Sequence, residues 1–422
     1  LPKYLFYHAP YRLLNAARPP LLLATVLLSP VSLILGLLGR EGMVAFEVSR
    51  RTDVVQLPAI DVDSSTLGIF SGIAMIAISG FALWRSMQNK RTPIWVLTVY
   101  GAVGITVLLG WLAAGATVPV TFIAGTALVL AVPIILGAMG GVMSERVGIT
   151  NIAIEGQLLS GAFMAAVVSS ITGSFTLGII AAMVTAALMS MILATFSIVF
   201  LAQQIIVGVV LNVLVIGITN FLYQQWLTED GENVNFPGTL EIIKIPVLSD
   251  IPVIGPILFE NRITVFLALV IVPVLWFILF KTRLGLRARA VGEHPLAADT
   301  VGVNVARTRF WWVTIGGAIA GLGGAALTIG NAGAFGREMS GGFGFIALAV
   351  VILGRWHPIS AALAALLFGF SIILRVWANQ VSPGIPTDFI TMVPYLVTII
   401  AVVGFVGKSI PPKALAVPYT KG

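Results

Sequence analysis

TLGIIAAMVTAALMSMILATFSIVF, residues 176–200, and QIIVGVVLNVLVIGITNFLY, residues 204–223, hold no charged side chain between them. A helix needs about 20 apolar residues to cross the hydrocarbon of a bilayer, so each stretch reads as one span. Similar windows lie upstream near 20–38, 67–84, 94–114, 120–142 and 151–171. Others lie downstream near 263–280, 308–330, 342–354, 358–376 and 389–407. The 342–354 piece is too short to cross comfortably unless its neighbours extend it. The pattern predicts an all-α fold, a polytopic membrane helix bundle of about 10–12 transmembrane helices.

Composition agrees with that reading. The 422 residues are 58% hydrophobic and 10% charged, with mean hydropathy +1.03, which a soluble protein of this size could not carry on its surface. Spans in that number occupy roughly 240 positions and leave no room for a soluble catalytic domain. The net charge of +7 comes from bases that flank apolar runs instead of forming a stripe, so it reflects membrane topology and not nucleic acid. Without cysteine there is no disulfide, thiolate metal site or cysteine nucleophile, and the scattered His8, His294 and His357 argue against a zinc site. The run at 19–39 follows Lys3, Arg12 and Arg18 but is too long for a signal peptide and lacks a small-residue cleavage site. It reads as a retained span.

Basic residues resist transfer across an inserting membrane, so their distribution sets orientation. The loop at 40–66 holds Glu41, Glu47, Asp53, Asp61 and Asp63 against Arg40, Arg50 and Arg51, which suits the outside. Basic clusters then fall inside at Arg85, Lys90 and Arg91, at Lys281, Arg283, Arg287, Arg289, Arg307 and Arg309, and at Lys408, Lys413 and Lys421. Both termini are expected in the cytoplasm. The acidic loop at 227–262 falls outside, where Pro237, Pro246, Pro252 and Pro256 predict an irregular but ordered cap.

KTRLGLRARAVGEHPLAADTVGVNVARTR, residues 281–309, is the longest polar segment on the inner side. Pro295 suits a first helical turn, Ala297 and Ala298 continue it, and Gly302 ends it with a left-handed cap, giving ~7 residues of helix. Such a short capped helix suits docking into another protein. Its GLRARAVGEHPLAADTVGVNV resembles the coupling loop of ABC importer permeases in the branched-chain amino acid, ribose and nucleoside superfamily. GGVMSERVGITNIAIEGQLLSGAF (140–163), GGFGFIALAVVILGRWHP (341–358) and MVPYLVTII (392–400) are similar to the nucleoside branch, whereas residues 1–115 match weakly.

The resemblance implies a type II, vitamin B12 importer-like ABC importer permease in the bacterial inner membrane. Extra transmembrane helices would occupy 1–115, the permease core 116–410 with the coupling loop at 281–309 inside it, and a cytoplasmic tail 411–422. It implies that the chain forms half of a nucleoside pathway and pairs with a second permease subunit, most simply as a heterodimer. An extracytoplasmic substrate-binding lipoprotein delivers the ligand, and a cytoplasmic ABC ATPase binds ATP and Mg, with no cofactor in this chain. Glu293, His294, Pro295, Ala297, Ala298, Asp299 and Gly302 are then the ATPase-coupling residues. Glu293 and Asp299 would pair with bases on the ATPase, and Ala297 and Ala298 would pack in its groove. Ribose or another simple sugar is the alternative substrate, and an ATP-independent carrier with Glu155 as proton site is a more remote one.

No nucleotide-binding motif contradicts this division of labour. FVGKSI, with Gly407, Lys408 and Ser409, lacks the first glycine of a P-loop, for which Val402 stands, and no strand precedes it. Gly341, Gly342 and Gly344 lack the βαβ context of a dinucleotide fingerprint. Asn151 and Glu155 follow Gly148 where an apolar run pauses, which predicts an interrupted helix. A carboxylate at mid-bilayer costs about 2.5 to 3.5 kcal/mol, so Glu155 either serves the pathway or braces a helix end near Arg146. Gln203, Gln204, Asn212, Asn220 and Asn331 offer neutral hydrogen bonds to a base or ribose, though such amides more often glue helices together. Phe335, Trp311 and Trp312 offer stacking faces, with the interfacial belt as the commoner use of tryptophan. The substrate-pathway candidates are Asn151, Glu155, Gln203, Asn212, Asn331 and Phe335. Gly137 with Gly141 and Gly317 with Gly321 have the spacing that lets helices approach closely.

Overall fold

The computed structural model describes residues 42–381 except 51, 54, 89 and 91, residues 410–420, and isolated positions at 29, 30, 32–34, 37 and 392. Apart from those positions, the expected spans near 20–38 and 389–407, the MVPYLVTII motif, and Gly407, Lys408 and Ser409 lie outside the described residues. Eight described helices are long and apolar enough to cross a membrane. The chain is a multi-pass membrane protein.

Two compact units separate, one drawn from 1–124, 250–256 and 371–408, the other from 125–249, 257–370 and 409–422. In the first, β1 (Met43–Glu47) pairs antiparallel with β2 (Ile60–Asp63) and parallel with β3 (Thr117–Pro119). Helices α1 (Ser64–Met87) and α2 (Ile94–Leu112) pack together beside this sheet's strands in sequence. Asp63 starts α1 by accepting the Thr66 N–H at 2.9 Å, and that bond holds its carboxyl below the ordinary range. The expected all-α membrane bundle is present, and these short strands are a local addition to it. β-pairing of residues 45 and 117 joins segments too distant for any local periodicity to reveal.

The second unit holds most of α3 (Val120–Arg146), then α4 (Ile154–Thr172), α5 (Phe175–Ile198), α6 (Gln204–Leu222), α7 (Ile263–Lys281), α8 (Arg283–Glu293), α9 (Pro295–Thr300), α10 (Val305–Leu327) and α11 (Phe343–Leu353). Pro358–Val381, α12, continues past its boundary. Two helices end in wider π turns, Tyr223–Leu227 after α6 and Thr328–Ala332 after α10. β4 (Ile242–Lys244) and β5 (Glu260–Arg262) form an antiparallel pair, closed by a Lys244–Glu260 ion pair of 2.9 Å.

Close packing rests on small residues, because helices in lipid gain no hydrophobic drive toward one another. A side chain on Gly317 would strike Ser190 and Ala186 of α5, and one on Gly321 would strike Ala182 and Ala186. Gly161 of α4 faces the Gly321 backbone in the same way. The spacing of 317 and 321 therefore marks a packing seam, which wedges α10 between α4 and α5. Those two neighbours differ in consequence: α4 and α10 are sheathed on nearly all sides, while α5 and α6 leave Leu188, Ile192, Val209 and Val213 exposed, the signature of a lipid-facing side.

Candidate functional site

The interruption expected near Asn151 is present. α3 stops at Arg146, Gly148 turns with φ +90°, and α4 begins at Ile154. Breaking a helix strands backbone groups that a membrane protein must satisfy from within. Amide side chains do this work. Thr150 N–H donates to Gln204 Oε1 at 2.8 Å. Asn212 accepts Gly156 N–H at 2.8 Å and donates to the Ile152 carbonyl at 2.9 Å. Asn151 and Gln157 exchange amide bonds of 3.1 and 3.2 Å, and Gln157 donates on to Ser190 Oγ at 2.8 Å.

Glu155, only 5% exposed, is fully engaged. Its Oε1 accepts from Ser340 Oγ at 2.6 Å and Gly342 N–H at 2.9 Å, and its Oε2 accepts from Gly344 N–H at 2.6 Å. Gly342, at φ +86°, delivers the chain into α11, so the carboxylate sits on the positive end of that helix. These three bonds brace the start of α11. The partner lies 185 residues away in sequence, beyond the reach of local inspection.

A cavity of about 230 Å³ opens nearby, walled by Leu130 and Pro133 of α3, Leu327 of α10, Asn331 in the π turn, and Met339 and Phe343. Asn331 is exposed there and is the one sequence-expected pathway residue that lines it. Asn151, Glu155 and Asn212 are buried with their polar atoms taken up as described. Gln203 is exposed at the start of α6. Phe335 is core: it meets Phe163 edge-on at 5.2 Å, and its backbone N–H and carbonyl are both bonded by Asn235. Phe343 and Met339 line the cavity although neither is among the sequence-expected pathway residues, since apolar side chains beside a glycine-rich turn carry no local mark of a cavity.

The 281–309 segment is more helical than expected. Thr282 caps α8, an 11-residue helix, before His294 breaks it and Pro295 opens α9. Gly302 ends the turn at φ +85°, its N–H donating to the Asp299 carbonyl at 2.9 Å. Ala298 requires a correction: it is 3% exposed and fills the chain's own core with Val291 and Val305, so it cannot enter a partner's groove. Leu296, 65% exposed, and Val301, 78% exposed, face outward together with Ala297 and His294. Glu293 Oε2 accepts the Lys413 N–H at 3.4 Å. Partial burial and the adjacent Asp299 push the Tyr419 phenol above its ordinary range. No cluster of metal-ligating side chains exists among the described residues.

Residues 123–402 match the family described as branched-chain amino acid transport system / permease component. The guanosine ABC transporter permease protein NupQ of Bacillus subtilis (strain 168) is 42% identical over 70% of this chain and 95% of its own length. The nucleoside ABC transporter permease protein NupC of Lactococcus lactis subsp. cremoris (strain MG1363) is 40% identical over the same shares, 70% and 95%. A putative glucose ABC transporter permease protein, TsgC13 of Haloferax volcanii, is 34% identical over 59% of this chain and 75% of its own length. No solved structure matches the chain.

Proposed function

Because the chain belongs to the branched-chain amino acid transport system / permease component family, we propose that it is the transmembrane permease subunit of an ATP-driven importer of nucleosides. The observation that carries the substrate is the cavity beside the helix break, whose walls are apolar except for the neutral Asn331 amide. An amide offers a donor and an acceptor at once, which suits a base edge or a ribose hydroxyl and needs no counter-ion. Phe343 supplies an aromatic face for a base. A glucose permease among the relatives favours a simple sugar as the second reading.

At about 230 Å³ the cavity falls below the roughly 300–1,000 Å³ of complete small-molecule sites. This chain therefore contributes part of the pathway, and a second permease subunit the rest. A cytoplasmic ATPase, holding ATP and Mg, docks on α9, where Leu296 and Val301 provide apolar anchors and Asp299 a charge. An external lipoprotein delivers the nucleoside. In the bacterial inner membrane, with both termini in the cytoplasm, the 281–309 segment lies on the ATPase side. The permease makes and breaks no covalent bond; it converts displacement of α9 into rearrangement of the helices around the break.

The test is ATP hydrolysis by the complex assembled in lipid with its ATPase, second permease and binding protein. Nucleosides should stimulate it and sugars should not, and Asn331→Ala should raise the nucleoside concentration for half-stimulation about 10-fold, as loss of one buried hydrogen bond to ligand does. Stimulation by sugars alone would transfer the reading to its rival.

A further inference from the structure

Residues 410–420, IPPKALAVPYT, form no helix or strand, yet the backbone of this segment is anchored at four points. Ala414 N–H donates to the Gly292 carbonyl at 2.9 Å, at the end of α8. Lys413 N–H donates to Glu293 at 3.4 Å. Ala416 N–H donates to the Gly148 carbonyl at 3.2 Å, inside the break between α3 and α4. The Val417 carbonyl accepts from Arg309 Nη1 at 3.1 Å, at the root of α10. Tyr419 packs against the same core that holds Ala298 and Val305.

The seating is tight on both sides. A Cβ at Gly148 would lie 2.8 Å from the Ala414 carbonyl oxygen and 2.9 Å from Arg309 Nη2, so the strand of chain rests directly on the break. Gly292 is equally constrained, since a side chain there would strike the Arg146 carbonyl at the end of α3. Arg309 is 2% exposed, and the Val417 carbonyl is the acceptor its guanidinium finds among the described residues. Lifting the segment would leave a buried cation without that acceptor, a costly state. Pro411, Pro412 and Pro418 restrict the backbone of the segment, so it transmits displacement instead of absorbing it.

We infer that residues 411–419 are a strap that ties the α8–α9 elbow to the helix break, so that movement of α9 reaches residues 147–153 through Ala414 and Ala416. The inference rests on the reading of the chain as an ATPase-driven permease. Glu293 thereby gains a role inside the chain: it holds the strap's leading edge at Lys413. The strap residues touch no substrate and are positioning residues for the coupling step.

The test uses Ala414→Pro, which removes the donor to Gly292, and Tyr419→Ala, which removes the anchor, each in the full complex. Copurification with the ATPase and basal ATP hydrolysis should stay within about two-fold of wild type, while nucleoside-stimulated hydrolysis and uptake fall about 10-fold, within the range of ordinary coupling energies. The chain has no cysteine, so Lys413→Cys with Glu293→Cys can re-attach the strap to Tyr419→Ala by a single disulfide. Uptake should return on oxidation and vanish on reduction, a reversal that general loss of folding would not produce. Wild-type uptake in both variants would overturn the strap, as would joint loss of assembly and basal activity with no oxidative rescue. If the unmodified complex ignored nucleosides, the permease reading would fall and the strap's role with it. A responsive complex with indifferent variants would refute the strap alone.

Discussion

The helix break at 147–157 and the elbow at 293–302 are opposites in how they use side chains. The break is built from polar residues that a glance would assign to substrate, and it spends nearly all of them internally: Asn151 on Gln157, Asn212 on Gly156 and Ile152, Glu155 on Ser340, Gly342 and Gly344. The elbow is where polar residues were expected to reach a partner, and its most exposed groups are apolar, Leu296 and Val301. In a membrane chain, unpaired backbone is the scarce tolerance, so buried amides and carboxylates go first to scaffolding. Exposed apolar side chains outside the spans are then the better sign of a docking face.

The contrast breaks most sharply at Glu155. Replacement by alanine strands three donors at the start of α11, which should cost about 3 kcal/mol or more of stability. Glu155→Gln keeps the shape and two acceptor directions and should cost less. Thermal unfolding of the purified chain in detergent measures both. If Glu155→Ala left stability untouched but abolished uptake, the residue would belong to the pathway and the contrast would collapse.

Asn212→Leu removes the acceptor for Gly156 and the donor to Ile152 in one step, and should cost about 1–3 kcal/mol in the same measurement. The elbow should behave inversely. Leu296→Ser should shift stability by less than about 0.5 kcal/mol, as exposed positions do, yet weaken ATPase binding about 10-fold as an apolar anchor does. Affinity of the detergent-purified chain for its ATPase decides that half. A stability loss with unchanged affinity would return Leu296 to the chain's own packing.

What could be read in advance follows the same division. Ten of the described apolar helices stood within a few residues of the windows marked by composition, because spanning a bilayer imposes a length that local sequence carries. Pro295 and Gly302 marked α9 for the equally local reason of helix-end geometry. α8 is not legible locally, since Gly285, Gly292 and its arginines resemble a loop, and the helix depends on the Thr282 cap and on Gly292 pressed against Arg146. The partners of Glu155, the sheet joining 45 to 117, and the strap at 411–419 all depend on contacts between segments remote in sequence. The π turn that exposes Asn331 is a backbone event with no residue signature.

The smallest expected effect sharpens the border of the break. His357 follows α11, its ring 5.0 Å from Phe280, which also receives the Arg146 guanidinium at 5.4 Å. Burial first, and the Arg146 charge second, lower its pKa below 6.5. The folded chain therefore binds fewer protons here than the unfolded chain in the window just beneath pH 6.5, so stability falls as pH drops through that window and is flat above it. His357→Phe should remove this slope while leaving stability near pH 8 within about 1 kcal/mol, the usual scale for a partly buried substitution. Unfolding midpoints across pH 5 to 8 would read it. A slope that survives the substitution would place the titrating group elsewhere, and the charged edge of the break would then be insensitive to its histidine neighbour.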